Sequence, residues 1–416
     1  MKRIFTAIFI LLSVYNYAQT KTDYLKTNRI DITKGEFKFP QQNFNIIGFG
    51  AYHGSIKTEA AEHTLLTSLT KEGTIKYYLP ETDFSLGHFF NAYLQTGDTI
   101  LLKDLVSNYG MRVPQDRSIE TFQKWKDLKI LNDKLPEKDK LTVVGIDQLV
   151  TYKYTSKHIL KLLKTDSFIH PVIQELNQMV ALDTTDYSPY YNSYSKKVMR
   201  DFVAYYEANK LAFTEFIDDS FAFKHIIQDL KYSFNPKINR EEVIFNNYMH
   251  LDSLYNFKEN VHFARFGFFH LEKQREGSNP SFFTRLIENN VYKKENIVSV
   301  IGYLTNSRVL WDHVYDEKGN YKSFTTEGGY GIGDYEKEYF LGIEHLKKSK
   351  ISDMTLFKLN SANSPYIDGI PDLIEVVMQD DTSNGEAVKG KSTTDFIDYA
   401  ILISDSKAST PIEEMN

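Results

Sequence analysis

The 416-residue chain contains no cysteine. This absence excludes disulfide bonds, cysteine ligands for a metal, a thiolate nucleophile and a lipidated cysteine near the N-terminus. Lysine and arginine number 49 against 55 aspartate and glutamate residues, so the formal net charge is -6. That balance predicts no nucleic-acid partner. No segment beyond the N-terminal region is long and apolar enough for a membrane helix, so we expect no membrane span.

Two catalytic patterns and one cofactor pattern are also missing. The sequence has no Gly-x-Ser-x-Gly elbow for a serine triad and no His-Glu-x-x-His zinc pattern. A glycine-rich stretch at 328–334 does not directly follow a predicted strand, so it does not qualify as a nucleotide site. We therefore predict neither a bound metal nor a cofactor.

The N-terminus has the features of a secretory signal. Lys2 and Arg3 precede an apolar run from Ile4 to Val14 that is too short to span a bilayer. We predict that residues 1–18 form a signal peptide, with cleavage after Ala18. The mature chain, 19–416, is then expected to be a single α/β domain, exported to the periplasm or the cell exterior and not lipid-anchored.

Hydrophobic patterns predict an α/β fold with a mostly parallel central sheet flanked by helices. Strands alternate with helices in the first part of the chain, which favours parallel pairing through crossover connections. The predicted strands are 44–50, 74–80, 141–147, 261–269, 297–302, 354–359 and 396–404. The predicted early helices are 58–69, 86–107 and 118–134. Between about 151 and 256 the pattern is helical throughout, which predicts a helical insertion or subdomain.

Polar side chains follow several predicted strands. His53 ends the first strand, Glu81 the second and Asp147 the third, and His270 ends the strand that begins at Val261. Ligands of open α/β sheets bind at the carboxyl edge of the strands, so these four side chains are expected to share one edge. Histidine beside carboxylates is the usual equipment of general acid–base catalysis.

Three further groups have competing interpretations. Arg265 lies within a predicted strand and is either a supporting residue of the site or a buried, paired cation. Arg240 and Glu241 begin a helix, where a surface ion pair is the alternative to a role in the site. Glu59, Glu62 and His63 could be metal ligands, but a solvated helix face is the favoured interpretation.

The order of these motifs resembles the erythromycin esterase-like family between about residues 44 and 412. The resemblance rests on Gly48-Phe49-Gly50-Ala51-Tyr52-His53-Gly54, on Glu81 followed by Asn91-Ala92-Tyr93 and Gly97, on Gly145-Ile146-Asp147, on Arg240-Glu241 with Asn246-Asn247, and on Gly267-Phe268-Phe269-His270. Two positions depart from the family pattern. Gly50 stands where the family has a glutamate, and Gly267-Phe268 stand where it has His-Asn.

The resemblance implies a metal-free hydrolase that acts on an ester or related carbonyl bond of a small molecule. It assigns His53 as the base that activates water, Glu81 as a supporting carboxylate and His270 as a second imidazole. Asp147, Arg240 and Arg265 would bind substrate or support these groups. The alternative function is a non-catalytic descendant that binds a small ligand, possibly haem, in the same cleft.

Overall fold

The computed structural model describes residues 20–34, 37–41, 43–164, 170–182, 186–327, 332–336, 338–380 and 382–415. The predicted signal peptide, 1–18, lies outside these ranges, as do residues 328–331 of the glycine-rich stretch. The strands of the described chain are β1 (Arg29–Asp31), β2 (Ile46–Ala51), β3 (Tyr77–Pro80), β4 (Thr142–Val143), β5 (His262–Phe266), β6 (Ile297–Thr305), β7 (Val309–Tyr315), β8 (Tyr321–Glu327), β9 (Asp334–Tyr335), β10 (Glu338–Phe340), β11 (Met354–Lys358), β12 (Val376–Met378) and β13 (Tyr399–Ser404).

The α-helices cover a larger part of the described chain than the strands. They are α1 (Lys21–Thr27), α2 (Ile56–Lys71), α3 (Phe84–Thr96), α4 (Thr99–Tyr109), α5 (Ile119–Asp133), α6 (Tyr152–Leu162), α7 (Pro171–Ala181), α8 (Tyr194–Ala208), α9 (Lys210–Phe213), α10 (Ser220–Phe234), α11 (Arg240–Tyr255), α12 (Phe282–Glu288), α13 (Ile343–Ser349), α14 (Gly385–Val388) and α15 (Thr393–Phe396). In the described residues, no helix combines the length and apolar character needed to cross a membrane.

Eight strands form one sheet in the order β1-β11-β13-β6-β2-β5-β3-β4. The six strands from β13 to β4 run parallel, whereas β11 and β1 pair antiparallel at one edge. The predicted α/β class with a mostly parallel central sheet is therefore confirmed. Every residue of β2 and β6 is buried, as expected for parallel strands that are covered on both faces by other elements.

Two hydrophobic layers cover the two faces of the sheet. Ile46 and Ala264 belong to one layer, and Ile47 and Phe263 to the other, because successive strand residues point to opposite faces. Helices α6 to α11 lie between β4 and β5 in the chain and contribute their apolar faces to the first layer. The helical character predicted for 151–256 is thus observed in the described residues, while the predicted domain boundaries remain a prediction.

Some element boundaries differ from the predictions. The helix predicted over 86–107 is divided into α3 and α4, because Gly97 adopts a left-handed conformation and Asp98 caps the start of α4. The strand predicted over 141–147 is regular only in β4. Strands β1, β7–β10 and β12 were not predicted. Most of them lie outside the central sheet, and their apolar patterns are too short or too irregular to indicate a strand.

Candidate active site

The carboxyl ends of parallel strands gather polar side chains at one edge of the sheet. His53 follows β2, Glu81 follows β3 directly, and Asp147 follows β4. His270 joins them from the short 3₁₀ helix Phe268–Leu271 after β5. The structure thus brings together the four side chains that were predicted to share this edge, and hydrogen bonds link three of them through a single arginine.

The turn that carries His53 depends on a glycine. Gly54 has φ +82°, and a Cβ atom there would lie 2.9 Å from the backbone oxygen of Leu310. An L-residue is disfavoured in this conformation and would also lack space. The turn therefore leaves His53 two residues beyond the end of β2, and α2 starts three residues after His53, at Ile56.

His53 lies between two carboxylates. Its Nδ1 is 2.9 Å from Oδ1 of Asp116, and its Nε2 is 3.4 Å from Oε2 of Glu81. Burial lowers the pKa of His53, but Asp116 and Glu81 outweigh this effect and raise it to about 9. The free protein therefore holds His53 as an imidazolium at neutral pH, with each nitrogen facing a hydrogen-bond acceptor.

Glu81 is held in place by donors on both carboxylate oxygens. Nη2 of Arg240 lies 2.5 Å from Oε1, and the backbone N–H of Gly267 donates to Oε2 at 2.9 Å. Burial raises the pKa of Glu81, but Arg240 and His53 outweigh it and hold this pKa well below its usual range. Glu81 is therefore a fixed anion beside His53.

Arg240 joins Glu81 to Asp147. Its Nε and Nη2 donate to the two oxygens of Asp147 at 3.0 and 2.5 Å. Nε of Arg112 lies 3.5 Å from the same carboxylate. Although burial raises the pKa of Asp147, Arg112 and Arg240 lower it below its ordinary value. The alternative of a surface ion pair for Arg240 is wrong, because its partners are buried carboxylates.

Both ring nitrogens of His270 contact a charged side chain. Nη1 of Arg240 lies 3.0 Å from Nε2, and a guanidinium can only donate, so Nε2 accepts this hydrogen bond. Nδ1 then carries the proton and faces the carboxylate of Glu241. This arrangement uses His270 to orient Arg240 and leaves neither nitrogen free for a substrate.

Arg265 does not lie with these residues. It is 1% exposed, it donates to Oε2 of Glu62 at 3.3 Å, and its guanidinium lies 5.4 Å from the centroid of the Phe49 ring. These contacts place it in the hydrophobic layer on the opposite face of the sheet from the helical insertion. Its interpretation as a buried, paired cation therefore describes its geometry. Its charge still acts on the site, because it lowers the pKa of His53.

The prediction of a solvated face for Glu59 and Glu62 is wrong. Glu59 is 5% and Glu62 0% exposed. Nζ of Lys124 lies 2.6 Å from Glu59 and 2.7 Å from Glu62, and the hydroxyl of Tyr78 also donates to Glu62. Helical spacing predicts only that these two carboxylates share a face of α2. That face can be buried because Lys124 of α5 supplies the cation that pairs with them.

The family's missing glutamate has no space at position 50. A Cβ atom on Gly50 would lie 2.8 Å from Ile301 Cδ1 and 3.1 Å from the backbone of Phe268. Asp116 supplies a carboxylate to His53 from a different part of the chain. A side chain at position 50 would therefore require Ile301 to move and would press on the start of the 3₁₀ helix that carries His270.

A cleft of about 650 Å³ opens beside His53 and Glu81. Its walls are mainly apolar and aromatic, with a few polar side chains. The residues that line it are Ala51, Tyr52, His53, Glu81, Val113, Gly267, Phe268, Phe269, Glu276, Gly302, Glu338, Phe340, Ile374, Val376, Met378 and Asn384. A cleft of this size and character is suited to a small organic molecule.

The sequence did not indicate Asp116 and Arg112 as site residues. Asp116 ends the 3₁₀ helix Pro114–Asp116, in a loop with no strand-end signal. Arg112 lies in the same connection between α4 and α5. Among the residues that the structure describes, no group of three or more histidine, aspartate or glutamate side chains could hold a metal ion.

No protein-family model and no curated protein matches this sequence. Solved structures do share its fold. A protein from Bacillus cereus has a TM-score of 0.61 at 13% identity, over 94% of this chain and 98% of that chain. A succinoglycan biosynthesis protein has a TM-score of 0.64 at 15% identity, over 95% and 98%.

A mutant of the erythromycin esterase EreC in its open conformation is similar as well. The TM-score is 0.54 at 10% identity, over 89% of this chain and 92% of that chain. At this level of identity the similarity supports a distant relationship of fold. The structural similarity therefore agrees with the resemblance of the sequence motifs as far as the fold is concerned.

Proposed function

We propose that this protein is a hydrolase that cleaves an ester or related carbonyl bond of a small organic molecule with water activated by His53. The observation that carries the proposal is the position of His53, which faces Asp116 on one side and Glu81 on the other at the mouth of a largely apolar cleft. This arrangement orients an imidazole beside carboxylates that can stabilise its protonated form, as general acid–base catalysis requires.

In the proposed mechanism, neutral His53 acts through Nε2. Nδ1–H donates to Asp116, which orients the ring in the way that an aspartate orients a catalytic histidine. As a water oxygen forms its bond to the carbonyl carbon, Nε2 takes one water proton. When the C–O bond to the leaving group breaks, the imidazolium returns that proton to the leaving oxygen. Asp116 and Glu81 stabilise the imidazolium between these two steps.

We propose that Arg240 and His270 support the proton transfers of His53 and do not contact the substrate. Arg240 holds Glu81 in place, and His270 accepts a hydrogen bond that orients Arg240. We therefore propose a positioning role for His270, where the family resemblance implied a second catalytic imidazole. Export through residues 1–18 is also part of the proposal and rests on the sequence pattern alone.

The raised pKa of His53 gives the proposal a distinctive pH dependence. His53 must be neutral to accept a proton. Because its pKa is about 9, the neutral form predominates only when the pH is above about 9. We expect kcat/KM for aryl esters such as 4-nitrophenyl butyrate to rise with pH and level off above about 9. Hydrolysis of a panel of aryl and alkyl esters, measured from pH 6 to 10, tests this. No turnover, together with a new absorbance band on addition of haem, would favour the alternative binding function.

Asp116→Asn tests the assignment of the carboxylate that the sequence did not indicate. The substitution removes the charge that raises the pKa of His53, so the rise in kcat/KM should move to lower pH by about one unit or more. Maximal kcat should fall, because the orienting carboxylate is lost. Asp133→Asn, at an exposed ion pair with Lys129, is the matched control and should leave the pH profile unchanged. An unchanged profile in Asp116→Asn would remove Asp116 from the mechanism.

A further inference from the structure

The cleft beside His53 has an uneven distribution of charge. Its described lining includes the carboxylates of Glu81, Glu276 and Glu338 and no lysine or arginine side chain. Arg240 already pairs with Glu81. Glu276 belongs to a different wall of the cleft, and its surroundings decide which ligand that wall favours.

Glu276 is fixed beside a second, fully buried carboxyl group. Nδ2 of Asn384 donates to Oε1 of Glu276 at 2.8 Å. Glu272, which is 0% exposed, interacts with Glu276, and no hydrogen-bond donor reaches its carboxyl oxygens in the described structure. Nζ of Lys391, the nearby cation, donates to two backbone carbonyls instead. The pair therefore has only one neutral donor and no direct cationic partner.

Two carboxyl groups in contact cannot both ionise easily, so they retain one proton between them. Burial raises the pKa of both Glu272 and Glu276, and for Glu272 the neighbouring Glu276 raises it further. The remaining negative charge lies partly buried against an apolar cleft, where an opposite charge interacts more strongly than it does in water. A cationic group of a ligand would provide the partner that the protein itself lacks.

We propose that the cleft takes an ester that carries a positively charged ammonium group, with the ammonium beside Glu276 and the ester beside His53. The proposal rests on the proposed function for the ester half and on the contacts of Glu276 for the ammonium half. The rings of Phe268 and Phe340 stack with centroids 5.4 Å apart in the same cleft. Such aromatic walls suit the apolar body of the ligand and can also attract an ammonium group.

A matched pair of esters tests the charge preference. Benzoylcholine and 3,3-dimethylbutyl benzoate have nearly the same shape, and only the first carries a positive charge. In the native protein, kcat/KM should favour benzoylcholine by about tenfold. In Glu276→Gln this preference should disappear, as measured by the ratio of the two kcat/KM values in the same variant. Glu288→Gln, at the exposed ion pair with Arg275, is the control and should keep the native preference.

Binding without turnover separates this inference from the proposed function. Trimethyl(4-phenylbutyl)ammonium has no ester, and calorimetry should show that it binds about tenfold more weakly to Glu276→Gln than to the native protein. If neither ester is hydrolysed but this difference in affinity is observed, the proposed function is wrong and the cationic site stands. If the native protein hydrolyses both esters equally and binds the ammonium probe no better than Glu276→Gln does, the cationic site is wrong. Should Glu276→Gln fail to fold, the comparison of the two esters in the native protein decides the question.

Discussion

His53→Ala is expected to lower kcat/KM for ester hydrolysis by about 10²–10⁴-fold, the usual cost of losing a general base. The effect is large because no other imidazole in the described site can replace it. His270, the other histidine of the site, accepts a hydrogen bond from Arg240 through Nε2 and contacts the carboxylate of Glu241 through Nδ1, so neither nitrogen faces water. The rate should be measured at pH 9 or above, where the native histidine is neutral.

The control for this substitution is another histidine that follows β2 in the chain. His63 lies on α2, with its Nε2 3.3 Å from the hydroxyl of Thr67, and none of its described hydrogen bonds reaches His53, Glu81 or Asp116. His63→Ala should retain the native rate and pH profile. If His53→Ala kept full activity while its melting temperature fell, His53 would be a structural residue and the mechanism would be wrong.

Lys124→Met is expected to destabilise the protein by about 3–5 kcal/mol at pH 7, because it leaves buried carboxylates without their cation. Lys124 contacts both Glu59 and Glu62. In its absence, the described partners of Glu62 are the more distant guanidinium of Arg265 and the neutral hydroxyl of Tyr78. Methionine has a similar length and shape, so little of the loss should come from packing. Urea unfolding of the native protein and the variant measures the difference in the free energy of unfolding.

The pH dependence of this loss identifies its cause. Without Lys124, burial should raise the pKa of Glu59 and Glu62, so the folded variant binds more protons than its unfolded state. Its stability should then fall as pH rises through the carboxylate range, and the deficit relative to the native protein should be larger at pH 7 than at pH 4.5. Lys126→Met, on the same helix, should cost at most about 1 kcal/mol. An equal deficit at both pH values would indicate a packing effect instead.

The first of these predictions concerns a residue at a strand end, and the second concerns charged residues on a buried helix face. The convergence of His53, Glu81 and Asp147 could be predicted, because parallel strands direct all their carboxyl ends to one edge of a sheet. A sequence pattern that identifies each strand therefore also places the residue that follows it. Even the shortened β4 delivers Asp147 to the predicted position.

The partners of those residues could not be predicted in the same way. Asp116 meets His53 across 63 residues, Lys124 meets Glu62 across 62, and Arg265 meets Glu62 across 203. The spacing of Glu59 and Glu62 shows only that they share a helix face, and a buried ion cluster produces the same spacing as a solvated one. The sequence alone therefore determined where the parallel strands lie along the chain and which side chains follow them. Tertiary packing decided which distant charges became partners. A charge needs a partner only when packing removes it from water, because an unpaired buried charge is strongly destabilising.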